Sequence, residues 1–357
     1  MKVAIVTPIL AHYRRNLFLN LDQSDGMSFV HFSAVENSTK IAAMNPQDLQ
    51  EFNRLDNVEI GPFLWQKGLL GMAFDKSIDA CVFTGDAKYL STWVTSATAR
   101  LMGKRVYFWT IGWHRPERGL KRLARLGFYR MAHKLMVYGD PEKASAAAHG
   151  YPEDRIDVVY NSVTGLADVE TSSFGTDQKE MAVGAVVRLK PAKNLGLLIE
   201  AVSALGKRGR KLKIILGGDG PERPGLERKA RDLGVDCEFL GAIHGSDEIE
   251  DFYHRVMITV VPSAAGLTTI QSLAHGVPVI TDDDDSTQMP ESSAVVDGVT
   301  GSRYAAGSAI DLADTIAAWI DTLVEDRSTA ALACHREVKT RWNPEVQAER
   351  MLDSLAH

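Results

Sequence analysis

Apolar runs alternate with amphipathic, helix-like segments along nearly the whole chain. In the N-terminal half the strand-like runs are residues 3–9, 29–34, 58–63, 80–84, 105–111, 134–138 and 156–160. In the C-terminal half they are 181–189, 212–217, 237–240, 257–262 and 277–281. Such alternation predicts parallel sheets covered by helices on both faces. Between the two sets lies 165–180, polar and without periodicity, and its stretch 171–177 reads as an interdomain linker. The pattern predicts an α/β protein with two doubly wound domains, 1–165 and 166–343, and a last helix within 344–357. No repeat with a period of about 20–50 residues and no low-complexity tract is visible.

Composition narrows the class. The chain has 357 residues, 45% hydrophobic and 24% charged, which is enough apolar content for a real core. A net charge of -6 argues against a nucleic-acid partner. No apolar run reaches transmembrane length. Met1-Lys2 leads straight into a strand, which predicts no signal peptide. The three cysteines, Cys81, Cys237 and Cys334, lack metal or redox spacing and fit cores in a reducing cytoplasm.

Candidate chemistry concentrates in the C-terminal half. Val187-Arg188-Leu189-Lys190-Pro191-Ala192-Lys193-Asn194 leaves a buried strand and leads into the amphipathic segment 195–202. Open α/β sheets bind ligands where strands end. Cations there, beside a helix N-terminus, suit a phosphate or diphosphate. Downstream come Leu216-Gly217-Gly218-Asp219-Gly220-Pro221-Glu222, then Val260-Val261-Pro262-Ser263. A helix follows, beginning at Ala265-Gly266-Leu267-Thr268, and then the strand Gly276-Val277-Pro278-Val279-Ile280-Thr281.

In this order the motifs, over about 181–305, resemble the retaining glycosyltransferases of family four. Tyr160-Asn161-Ser162 is similar to that family's strand end before the domain crossover. The resemblance implies the GT-B architecture, two Rossmann-like domains facing a central cleft, with the last helix packing back on the first domain. It implies transfer of a sugar from a nucleotide diphosphate sugar to a hydroxyl of a glycan or lipid-linked acceptor. Arg188 and Lys193 would neutralise the departing diphosphate, where fixed cations stabilise growing charge. Gly266, Leu267 and Thr268 would offer backbone N–H groups to the same phosphates. Gly218, Asp219, Gln271 and Glu291 complete the implied donor contacts. The chain departs from the family where paired glutamates usually stand, with Ser263 and Gln271 in their places. Gln271 still hydrogen-bonds a hydroxyl as donor and acceptor. Two readings stay open: altered donor contacts, or a site that binds without turnover. A nucleotide-sugar epimerase is a further alternative.

The run Asp282-Asp283-Asp284-Asp285 invites a magnesium or manganese reading. GT-B enzymes as a class need no metal, so the expectation is a solvated loop and no cofactor besides the nucleotide sugar as co-substrate. In the N-terminal half, the resemblance implies a catalytic role for His114 and acceptor contacts for Arg14, Arg15 and Trp113. Residues 114–134 are strongly basic, with Leu120, Leu123, Leu126, Phe128 and Tyr129 interleaved. That segment either docks on an anionic membrane surface or packs inward through its leucines. The expected location is the cytoplasm, with peripheral attachment to the inner face of the membrane.

Overall fold

A computed structural model describes residues 1–35, 42–113, 117–163, 180–243 and 245–357. The chain forms two compact units: Met1–Thr164 with Asn343–His357, and Gly165–Trp342.

Among the described residues the first unit holds nine strands: β1 (Lys2–Thr7), β2 (Ser28–Ser33), β3 (Phe52–Arg54), β4 (Asp56–Ile60), β5 (Phe63–Lys67), β6 (Ala80–Thr84), β7 (Arg105–Thr110), β8 (Lys134–Val137) and β9 (Ile156–Val158). Seven make one sheet in the order β3-β2-β1-β6-β7-β8-β9, with every pairing parallel. Its central strands are buried on both faces, as crossover helices require. One face carries a cluster including Val6, Phe83, Phe108 and Phe128; the other a cluster including Val3, Ile5, Trp109 and Met351. Met351 belongs to the last helix, Pro344–Ala356, which packs on this unit. Gln347 of that helix donates to the Tyr160 carbonyl at 3.0 Å and accepts from the Ser162 hydroxyl at 2.6 Å.

The run 58–63, expected as one strand, is a hairpin instead. β4 and β5 pair antiparallel and turn at Gly61-Pro62. Gly61 takes φ of 57°, a backbone state that suits glycine, so the apolar run folds on itself.

The second unit holds β10 (Ala182–Val186), β11 (Lys213–Gly217), β12 (Cys237–Gly241), β13 (Ile258–Val260), β14 (Val279–Asp282) and β15 (Gly301–Tyr304). Their order is β12-β11-β10-β13-β14-β15, again parallel throughout. The helix Leu195–Lys207 buries Leu195, Leu198, Ile199, Val202 and Leu205 against the sheet. The helix Ala309–Arg341 covers the same core and breaks at Asp326. In both units the strand order reverses beside the first strand. A crevice then opens at the carboxyl ends between β1 and β6, and between β10 and β13.

Candidate active site

The second unit's crevice is built by two loops and one helix start. After β10 the chain stays extended: Val187 N–H donates to Gly217 O at 2.9 Å and Leu189 N–H to Asp219 O at 3.0 Å. The glycine-rich turn after β11 therefore lies directly against this backbone. A Cβ at Gly218 would stand 1.9 Å from Val187 O, and one at Gly220 would stand 2.3 Å from Leu189 O. Those contacts are why both positions are glycine. The Asp219 carboxylate accepts from Gly220 N–H at 2.7 Å, so it shapes its own turn. Arg188 points into solvent, and among the described residues it has no ion-pair partner.

A short 3-10 turn, Pro191–Lys193, carries Lys193 back toward β13. Its ammonium donates to Ala264 O at 2.5 Å. Ala264 is held at φ of 53°, a left-handed state costly for a residue with a Cβ. The next turn opens the helix Leu267–Ala274 at Gly266. The first N–H groups of such a helix have no partner within it. The Thr268 hydroxyl donates to Val186 O at 2.6 Å and pins the helix start to the end of β10.

Glu291 reaches the same place from a different segment. Gln288 is buried and works as a bracket. Its Oε1 accepts from Ala265 N–H at 2.9 Å, and its Nε2 donates to Thr281 Oγ1 at 2.8 Å and Asp282 Oδ1 at 2.5 Å. Met289 N–H donates to Ala265 O at 3.2 Å, and the Ser263 hydroxyl donates to Thr287 Oγ1 at 3.0 Å. These bonds draw the chain after β14 across the helix start. Glu291, only 3% exposed, then sits with Oε2 3.8 Å from where a Gly266 Cβ would be. Burial pushes the Lys193 pKa below its usual value; the Glu291 charge opposes that shift and Lys190 adds to it. Cation, carboxylate and helix start thus share one crevice.

Gln271 lies one turn along the helix. Its Oε1 accepts from the Tyr253 hydroxyl at 3.4 Å.

The aspartate run spreads over four separate tasks. Asp282 is buried, and burial raises its pKa although the Gln288 and Ser263 bonds oppose the shift. Asp283 accepts from Ala306 N–H at 2.9 Å, Asp284 caps Ser286, and Asp285 pairs with Arg303 at 2.6 Å. No group of three or more potential metal ligands occurs among the described residues.

In the first unit the described residues among those expected have different partners. Arg14 lies over the Trp109 ring at 4.0 Å, and its Nη2 donates to the Tyr138 hydroxyl at 3.1 Å. Arg15 pairs with Asp48 at 2.8 Å. Trp113 is 3% exposed, packed edge-on to Tyr129 and stacked on His149, so its ring belongs to the core. His114 lies outside the described residues. On the basic helix, Gly119–Tyr129, the inward expectation holds only for Leu126, Phe128 and Tyr129. Leu120 is 84% exposed and Leu123 61%, because they fall on the outer face with Arg118 and Lys121.

The sequence reading passed over Gln288 and Ala264, which assemble the crevice. A glutamine directly before Met-Pro-Glu was the only local signal for the first. An alanine at a left-handed position gives none.

Residues 180–322 match the family model described as Glycosyl transferases group 1. A D-inositol 3-phosphate glycosyltransferase of Gordonia bronchialis is 30% identical over 173 residues. The match covers 43% of this chain and 38% of that relative, so the chain spans well under half the relative's length. A solved lipopolysaccharide outer core galactosyltransferase aligns with a TM-score of 0.73 at 15% identity, covering 100% of this chain and 99% of its own. An Anabaena protein (HepE), solved in complex with UDP-glucose, aligns with a TM-score of 0.74 at 15% identity over 100% and 99%. At such identities the likeness establishes the fold, which is GT-B.

Proposed function

We propose that the protein is a retaining glycosyltransferase. It would move a sugar from a nucleoside diphosphate sugar to a hydroxyl of a glycan or lipid-linked acceptor, in cell-surface polysaccharide or glycoconjugate synthesis. The observation behind this reading is the convergence of Lys193, Glu291 and the helix start at Gly266. They meet at the carboxyl ends of β10 and β13, inside the segment matched to the glycosyl transferase model.

In this reading the sugar C1–O bond to the diphosphate breaks while a C1–O bond to the acceptor forms on the same face. The acceptor proton passes to a departing phosphate oxygen. Lys193 and the exposed Arg188 meet the charge that grows on the diphosphate. The free N–H groups of Gly266, Leu267 and Thr268 add to them. Gly218 and Asp219 shape the floor beside the phosphates, Gln271 bonds the ribose, and Glu291 supplies the carboxylate that Ser263 does not. Side chains and a helix terminus provide the positive charge, so no divalent metal is required. His114, Arg14 and Arg15 belong to the acceptor side; Trp113 supports them from the core. Arg118 and Lys121, with the exposed Leu120 and Leu123, would attach the enzyme to an anionic membrane surface at its cytoplasmic face.

The test is a thermal-shift screen against UDP, GDP, dTDP and ADP sugars, followed by product analysis with glycan and lipid-linked acceptors. A ligand bound only by the folded state raises apparent stability. The expected result is one stabilising nucleotide sugar and a retained anomeric configuration in the product. An epimerised sugar formed without acceptor would replace transfer by isomerisation. Binding without turnover would leave a nucleotide-sugar binding protein.

A further inference from the structure

The hairpin β4–β5 has two unlike faces. Its register pairs Ile60 with Phe63, Val58 with Trp65 and Asp56 with Lys67. Side chains alternate along a strand, so Val58, Ile60, Phe63 and Trp65 share one face. Asn57 and Gln66, also opposite each other, lie on the second.

The second face is tied down. Gln66 is 3% exposed; its Nε2 donates to Thr7 O at 3.1 Å, and its backbone N–H donates to Ser91 Oγ at 3.0 Å. Asn57 Nδ2 donates to Pro8 O at 2.8 Å, and Leu64 N–H donates to Lys88 O at 2.9 Å. These anchors reach the end of β1, the residue after it, and the segment after β6. The two strands are neighbours and flank the point where the strand order reverses. The hairpin therefore stands at the mouth of the first unit's ligand crevice.

The first face is open. Ile60 is 49% exposed and Phe63 42%, Val58 and Trp65 are half-buried, and none joins either core of this unit. Contiguous apolar surface left in water marks an interaction site more often than chance. The four side chains offer no hydrogen-bonding group except the indole N–H. That suits a hydrocarbon chain better than a sugar's hydroxyls. Beyond Trp65 the same face ends in Lys67, which has no ion-pair partner among the described residues. The Asp56 carboxylate across from it is engaged by Arg54 at 3.5 Å. With Arg54 and Lys67 flanking the single Asp56, the apolar strip ends in a net positive charge, complementary to an anionic head group.

We infer that this hairpin face binds the hydrocarbon chain of an anionic, lipid-linked acceptor, with Lys67 at the head group. The word acceptor rests on the transferase reading; the chain-binding face does not.

The test uses the full chain and brominated dodecyl maltoside below its micelle concentration, since bromine quenches tryptophan on contact. Saturable quenching is expected, lost in Trp65→Phe and shifted about tenfold to higher concentration in Ile60→Ser/Phe63→Ser. Dodecyl phosphate should compete better than dodecyl maltoside, and Lys67→Gln should abolish that preference. Methyl glucoside should not compete. Absent quenching, or equal quenching in Trp65→Phe, overturns the inference. So does a concentration-dependent dimer that Phe63→Ser dissolves, because a second copy would then cover the face. Nucleotide-sugar thermal shifts measured on the same samples read the other unit. Quenching without any nucleotide shift would defeat the transferase reading alone.

Discussion

Replacing Lys193 with methionine removes one positive charge and keeps most of the side chain's length. In the native protein the ammonium donates to Ala264 O at 2.5 Å. A hydrogen bond from a charged group contributes about 1.5–3 kcal/mol net. Against this, burial already holds the Lys193 pKa below its usual value, so the charged form carries a desolvation cost that methionine escapes. The two effects oppose each other, so the loss stays below that range, and each 1 kcal/mol lost lowers Tm by about 2–4 °C for a domain of this size. The effect on transfer is much larger. Loss of one preorganised donor to developing negative charge typically slows turnover about 100- to 1,000-fold. Donor-saturated kcat and the Tm of the same preparation separate the two. A kcat within about threefold of the parent value would refute the role in leaving-group stabilisation. A collapse of Tm in step with activity would recast Lys193 as a structural bracket. The pH dependence has a definite sign. Transfer needs the charged form, so it should fall as pH rises through the lowered pKa, before the usual lysine value of 10.5 is reached. Stability from this group runs the other way. Between those two values the unfolded chain binds more protons, so stability rises with pH.

Gly218→Ala should destabilise by about 4 kcal/mol or more, because its Cβ would meet Val187 O at 1.9 Å. A denaturant midpoint close to the parent's would show that the turn can move aside. Transfer should persist in excess EDTA, since charge neutralisation is assigned to side chains and N–H groups. Loss restored by manganese or magnesium would return the aspartate run to consideration. The protein should co-sediment with vesicles containing anionic lipid at low salt. The charge reversal Arg118→Glu/Lys121→Glu should weaken that binding, at about 1 kcal/mol per charge near the surface. Nucleotide binding in the other unit should be unchanged, and a wild type that ignores such vesicles makes the helix a solvated face.

Strand positions and fold class could be read from the chain because a buried parallel strand must be apolar over a short stretch. That demand is local, and residues such as Ile214, Ile215 and Leu216 meet it unambiguously. The glycines of the turn after β11 were equally visible, since close backbone approach leaves no other choice. The hairpin β4–β5 was not. An apolar run split by Gly61-Pro62 reads as one strand until its partner is known, and the edge strands β3 (Phe-Asn-Arg) and β15 (Gly-Ser-Arg-Tyr) hold too few apolar residues to show a strand pattern. The site divides in the same way. Arg188, Lys193 and Gly266 sit on local strand-to-helix transitions that sequence displays directly. The place of Glu291 depends on a bracket made by Gln288 across two loops, and the burial of Trp113 depends on rings contributed by other segments. The fate of Leu120 and Leu123 depends on how the helix is rotated against its neighbours. Such contacts join residues far apart in the chain, and periodicity describes only near neighbours. Local pattern decided which segments are strands and helices, and tertiary packing decided which side chains meet at the crevice and which remain in water.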